Sequence, residues 1–191
     1  MPECATVQYR GLASISPFSR LTVLWLTTRP HPTPLSFPPC ALGLSSFLAS
    51  LGGQDDNNLV VWNAETGKAV CGSPASQDLS LTVAWANTSD DTLVTGGNYN
   101  LRVWSFSEEI RKIRPMDCNL GKLRRVVLSV LFDEDDSVVY CGTSTGDVMK
   151  VLISTKNYSG CTPTKFGKGV CCISQVSATG DLLVGIGDGT V

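Results

Sequence analysis

Histidine is all but missing from this chain of 191 residues: His31 is the only one. It stands in a proline-rich stretch far from the repeats described below. With one histidine and no C-x-x-C pair among eight cysteines, a zinc finger or zinc ribbon has no ligand set at suitable spacing. No histidine is available in the repeats to act as a base for serine or cysteine, and there is no P-loop. These absences argue against an enzyme: no catalytic, cofactor-binding or metal-ligating residue is assigned, and no small-molecule substrate is expected.

Charge is also scarce. Charged residues make up 17% of the chain, below the usual quarter, and the net charge is −2. The whole molecule is therefore not an electrostatic match for nucleic acid. Long apolar runs are missing as well. Leu21 to Leu26, the longest near the start, is far short of the roughly 20 residues that span a bilayer, and no basic segment precedes an apolar one as in a signal peptide. No membrane association is expected. Cys71, Cys141, Cys171 and Cys172 lie in apolar, strand-like runs, where free cysteine behaves as a small hydrophobe. Reduced, buried thiols in a cytoplasmic protein follow, and the sequons at Asn87 and Asn157 are expected to be unused.

What the chain does have is a repeat. Gly53, Gly97, Gly142 and Gly187 recur at intervals of 44, 45 and 45 residues. Each precedes a polar turn and then a short apolar run: Leu59-Val-Val-Trp62, Leu101-Arg-Val-Trp104, Val148-Met-Lys-Val151, and the start of another at Thr190-Val191. A glycine turn and a strand ending in Trp, at a period in the low forties, mark a blade of a WD-type β-propeller. The fold class is all-β: an incomplete propeller over 46–191. Its blades are expected at about 46–75, 80–110, 126–158 and 170–191, the last cut short, so about three and a half blades in all.

Residues 1–45 differ. They hold seven of the ten prolines, five of them between Pro30 and Pro39. Proline removes ladder donors and fixes φ, so this stretch reads as an irregular or disordered leader.

Trp62 and Trp104 read as packing between blades, because large aromatics bury the most area. The histidine network common in such repeats cannot form, so other contacts must hold the strands. Gly185-Ile-Gly187-Asp-Gly189 lacks the last spacing and the helix of a dinucleotide fingerprint and reads as a hairpin. Asp133-Glu-Asp-Asp136 lacks the spaced ligands of a calcium loop and reads as a solvated turn. The candidate partner-binding feature is the long connection after the second blade. There Arg111, Lys112, Arg114, Lys122, Arg124 and Arg125 face a single acid, Asp117. Such a patch can steer an acidic partner. Nucleic acid is disfavoured, since no aromatics interleave as a stacking platform. A solvated loop is the plainer alternative.

Several strings are longer and less generic than the blade pattern: Trp62-Asn-Ala-Glu-Thr-Gly-Lys-Ala-Val-Cys-Gly-Ser-Pro-Ala75, Arg111-Lys-Ile-Arg-Pro115, Cys141-Gly-Thr-Ser-Thr-Gly-Asp147, Lys165-Phe-Gly-Lys-Gly-Val170 and Gly180-Asp-Leu-Leu-Val-Gly185. In them the chain resembles the cilia- and flagella-associated protein 52 family of WD-repeat proteins, from about Ser46 to Val191. The resemblance implies a two-propeller structural protein inside the doublet microtubules of motile cilia and flagella, touching tubulin and other axonemal inner proteins. It implies neither cofactor nor catalysis, and this chain would be a fragment or truncated isoform of such a protein. A soluble cytoplasmic propeller serving as an adaptor in a protein complex is the alternative.

Overall fold

The computed structural model describes residues 25–28, 47–54, 56–64, 66–89, 91–176 and 179–191. Every regular element among them is a β-strand, and the strands form four antiparallel sheets taken in chain order. The first sheet holds β1 (Trp25–Thr28), β2 (Phe47–Leu51), β3 (Asn58–Asn63) and β4 (Lys68–Pro74). The second holds β5 (Ser80–Trp85), β6 (Thr92–Gly97), β7 (Asn100–Ser107) and β8 (Lys112–Asp117). The third holds β9 (Val127–Phe132), β10 (Val138–Thr143), β11 (Val148–Leu152) and β12 (Asn157–Cys161). The fourth is a pair, β13 (Val170–Val176) and β14 (Asp181–Ile186). Within each sheet neighbours in sequence are neighbours in space, so each is a meander. β5 packs on β1 and β2, β9 on β5 and β6, and β13 on β9 and β10. Sheet stacks on sheet as propeller blades do.

The period of 2 explains the stacking. A blade in the middle of the row is apolar on both faces, and alternate residues feed different cores. In β6 and β7, Leu93, Trp104 and Phe106 join Phe47, Ala49, Leu51, Leu59 and Val61 of the first blade. Their strand neighbours Val94, Leu101 and Val103 join Val127, Phe132, Val139, Met149 and Val151 of the third. Each fully buried Leu or Val contributes roughly 1.5–3 kcal/mol. Phe106 meets Phe47 and Trp85 edge to face, at centroid distances of 5.1 and 6.0 Å, the geometry their ring quadrupoles favour.

The repeat glycines owe their place to crowding rather than to backbone sign. Gly97, Gly142 and Gly187 are not among the positive-φ residues. A Cβ at Gly97 would strike the Leu79 carbonyl, one at Gly187 the Lys168 carbonyl, and one at Gly142 would stand 2.6 Å from Val170 Cγ1. The glycine lets the inner strands and the links that feed them pass close.

Five expectations need correction. The leader is not irregular throughout: Trp25–Thr28 pairs antiparallel with Leu48–Leu51 and supplies the innermost strand of the first blade. The rest of 1–46, His31 included, lies outside the described residues. The connection expected over 111–125 is a strand for its first half. β8 tolerates Pro115 because it is the outermost strand, where a missing ladder donor costs least. The third blade likewise runs on through β12 to Cys161. Cys141 is fully buried and Cys71 half-buried, but Cys171 and Cys172 are exposed, because among the described residues no further sheet covers β13. Finally, the acidic turn is not merely solvated. Asp136 accepts from the backbone amides of Asn87 and Thr88 at 2.7 and 2.6 Å, and Asn87 Nδ2 donates to the Asp133 carbonyl. On the other side Asp133 accepts from Gln175 Nε2, so this turn ties the third blade to both neighbours.

Candidate protein-docking site

Strand direction alternates in a meander, so the blades have two distinct ends. One end gathers the β5–β6, β7–β8, β9–β10 and β11–β12 hairpins. The other gathers the β6–β7 and β10–β11 turns with the links that carry the chain from blade to blade. The structure sorts charge only in part between these ends: Asp78, in the first link, accepts from Asn98 Nδ2 at 3.2 Å, and Arg111, Lys112 and Lys156 lie at the hairpin end. The hairpin end presents Asp91, Glu108, Glu109 and the acids Asp133 to Asp136. The links 118–126 and 162–169 hold Lys122, Arg124, Arg125, Lys165 and Lys168, and no acid.

The six candidate bases therefore do not form one patch. Lys112 pairs in register with Ser107 at the far end of β7, beside Glu108 and Glu109. Lys122, Arg124 and Arg125 lie near the start of β7, where Asn98 bridges Val126. The length of β7, roughly 23 Å at 3.3 Å per residue, separates the two groups. Arg114 sits on the outer strand between them, opposite Ser105.

Arg125 is committed to the fold. Its Nε lies 3.1 Å from Asp147 Oδ2, whose side chain is 1% exposed. Asp147, in the β10–β11 turn, also accepts from Thr143 Oγ1 and, at 2.8 Å, from Thr145 Oγ1. Burial pushes the Asp147 carboxyl up, but those hydroxyls and the Arg125 guanidinium outweigh it and hold it below the ordinary carboxylate range. This tie is one answer to the missing histidine network. The others are Trp62 Nε1 to Ser50 Oγ at 2.7 Å and Trp104 Nε1 to Thr95 Oγ1 at 2.8 Å.

The link end has a feature that the sequence did not reveal. Tyr99 turns the corner between β6 and β7 with φ of 55° and is 55% exposed. A bulky side chain in the left-handed region is uncommon and strained. Its backbone is pinned by a 3.0 Å bond from Tyr99 N to the Arg125 carbonyl. Its ring carries Arg124, with Cζ 5.1 Å from the centroid. Arg125 Nη1 donates to the Arg124 carbonyl at 3.3 Å. The exposed Arg124 thus stands on a scaffold of Tyr99, Arg125 and Asp147, and among the described residues no carboxylate pairs with it. Asn98-Tyr99-Asn100 reads from sequence only as a hairpin; the sign of φ and the facing link appear only in three dimensions.

Gly142-Thr-Ser144-Thr-Gly146 has the spacing of a nucleophile elbow. It forms the β10–β11 hairpin rather than a strand-to-helix turn, and no described histidine faces it, so it is not one. Among the described residues no group of three or more His, Cys, Asp or Glu could hold a metal ion, and no helix is long and apolar enough to cross a membrane.

The chain is similar to curated proteins from several organisms. It is 45% identical over 147 residues to cilia- and flagella-associated protein 52 of Chlamydomonas reinhardtii, covering 76% of this chain and 24% of that protein. The protein of the same name from Bos taurus is 41% identical over 151 residues, with 75% and 24% covered. That from Homo sapiens is 40% identical over 160 residues, with 81% and 25% covered. The chain thus spans about a quarter of the length of the relatives it matches. No family model matches it. Among solved structures, the computationally designed Ika4 protein superposes with a TM-score of 0.59 at 18% identity, over 76% of this chain and 82% of that one. That likeness concerns the fold alone.

Proposed function

Across its repeats the chain is homologous to cilia- and flagella-associated protein 52, and from that kinship we propose that it is a structural WD-repeat protein of motile cilia and flagella. In this reading it is a microtubule inner protein of the axonemal doublets, held against tubulin and other inner proteins, with no catalysis and no cofactor. The observation that carries the reading is identity of 39–45% to proteins of that name over most of this chain. The architecture suits it: stacked blades offer broad edges to partners.

The test is fractionation of demembranated axonemes from cells expressing the tagged natural protein. It is expected to stay with doublet microtubules through a high-salt wash. Complete release into the soluble pool would overturn the proposal, and comparable abundance in cells without motile cilia would favour a cytoplasmic adaptor.

A further inference from the structure

We propose that the link end of the second and third blades is a docking site for an acidic, extended polypeptide segment, with Arg124 on Tyr99 as its anchor. The inference rests on the reading that this is a structural, partner-binding protein, and it names which of the basic residues meet the partner.

Three observations converge. The bases at this end divide into one that is used and four that are not. Arg125 is neutralised by buried Asp147, whereas Lys122, Arg124, Lys165 and Lys168 are exposed and sit on links without acids. Arg124 is also pre-arranged. Its contact with the Tyr99 ring biases the side chain toward that face before a partner arrives, so less side-chain freedom is lost on binding. A planar guanidinium held on an aromatic face still presents its donors outward, the geometry that carboxylates accept in pairs. The third observation is Tyr99 itself. Tyr99 is exposed at a positive φ, uncommon for an aromatic residue, and of the described positive-φ residues it alone carries an arginine on an aromatic ring.

The arrangement also selects the class of ligand. The bases belong to two successive links, one at each blade junction, so they are strung along an edge rather than gathered into a cradle. A single phosphate would meet one or two of them. A run of glutamates or aspartates, one residue every 3.3 Å or so, can meet them in succession. One exposed aromatic is not the row of stacking platforms that single-stranded nucleic acid needs. At the hairpin end Asp91, Glu108, Glu109 and Asp133 to Asp136 outnumber Arg111, Lys112 and Lys156, which makes that end the less favourable one for the same ligand.

The experiment measures fluorescence anisotropy of a labelled polyglutamate peptide titrated with the full chain at low salt. Arg124→Glu is expected to weaken binding at least tenfold, and Lys122→Glu several-fold. Tyr99→Phe, which keeps the ring, should bind as the parent does. Tyr99→Asn, which tolerates the turn but removes the ring, should bind several-fold more weakly. Lys112→Glu, at the other end of β7, should change affinity less than twofold. Far-ultraviolet circular dichroism checks that each variant is folded. Equal loss from Lys112→Glu and Arg124→Glu would overturn the proposal, as would tighter binding to single-stranded RNA than to polyglutamate or no binding of polyglutamate. These outcomes are separate from axonemal retention: the peptide can bind a protein that fractionates as soluble, and the doublet can hold one that ignores the peptide.

Discussion

Replacing Arg125 with methionine isolates the tie that stands in for a histidine network. Methionine keeps the apolar stem and removes the guanidinium. Asp147 is then left with two hydroxyl donors in a site that is 1% exposed. Removing one partner of a buried pair costs about 3–5 kcal/mol. Arg125 is itself 20% exposed, so the pair lies close beneath the rim and the low end applies, about 3 kcal/mol. For a domain of this size, where 1 kcal/mol moves the melting temperature by about 2–4 °C, the drop is roughly 6–12 °C. The pH dependence follows from the depressed carboxyl of Asp147. A carboxylate whose folded pKa lies below its unfolded value, about 3.9, stabilises fully above that value. Its contribution is lost as pH falls through the folded value. Without Arg125 the depression lessens, so the gap between parent and variant is fully open at pH 7, narrows as pH falls through the variant's Asp147 value and closes only below the parent's depressed value. Arg125→Met combined with Asp147→Asn should recover part of the loss, because no buried charge is left alone. Thermal melts followed by tryptophan fluorescence at pH 7 and through a descending series well below about pH 4 test this. A melting point within 2 °C of the parent at pH 7, or a gap that does not close in acid, would refute the reasoning.

Other consequences follow from other parts of the molecule. Asp136→Gly suits the positive φ at that turn but removes the carboxylate that holds the Asn87 and Thr88 amides; about 1–2 kcal/mol should be lost, with amide exchange at those residues accelerating about tenfold. Gly97→Ala places a methyl group against the backbone at Leu79 and Ser80 and should destabilise by about 1–3 kcal/mol in urea unfolding; an unchanged midpoint would show that the link can yield. In a brief iodoacetamide pulse read by mass spectrometry, exposed Cys161, Cys171 and Cys172 should label in the native chain. Cys118, its thiol pushed up to about 11 by burial, and Cys141, raised further by the same cause, should label only on unfolding.

The blades were legible because their signal is local and repeated. Glycine at a fixed interval and apolar alternation in β6, β7 and β10 need no knowledge of partners. β8 was not legible: Lys112-Ile-Arg-Pro-Met-Asp117 is charged and carries proline, and becomes a strand only because β7 offers it an edge. β1 was hidden for a related reason, since a strand inside a proline-rich stretch is decided by pairing with β2 and not by its own pattern. Of the candidate site, the residues were visible but their grouping was not. Six bases within fifteen positions look like one patch along the chain; a strand running through them carries Arg111 and Lys112 away from Lys122 and Arg124. Likewise Arg125 could not be told from Arg124 until Asp147, twenty-two residues on, turned out to face it.

These degenerate blades hold together by a different division of labour. A network inside each blade would make every blade locally stable. Here, beside the in-blade bonds of Trp62, Trp104 and Asp147, many polar ties run between blades or to the links. Asn57 Nδ2 and Oδ1 reach the Ser76 carbonyl and the Ser80 amide, Arg102 Nη1 reaches the Ala75 carbonyl, and Asp136 and Asp133 reach the second and fourth blades. In a stack whose stability is a sum of unit terms and neighbour terms, polar ties at the junctions raise the coupling between units. Such a row unfolds as one body when its junctions are filled, and frays from whichever blade has a bare face. The fourth sheet, with exposed Leu183, Cys171 and Cys172, is where fraying should begin. Any partner or further sheet that covers that face would strengthen blades it never touches.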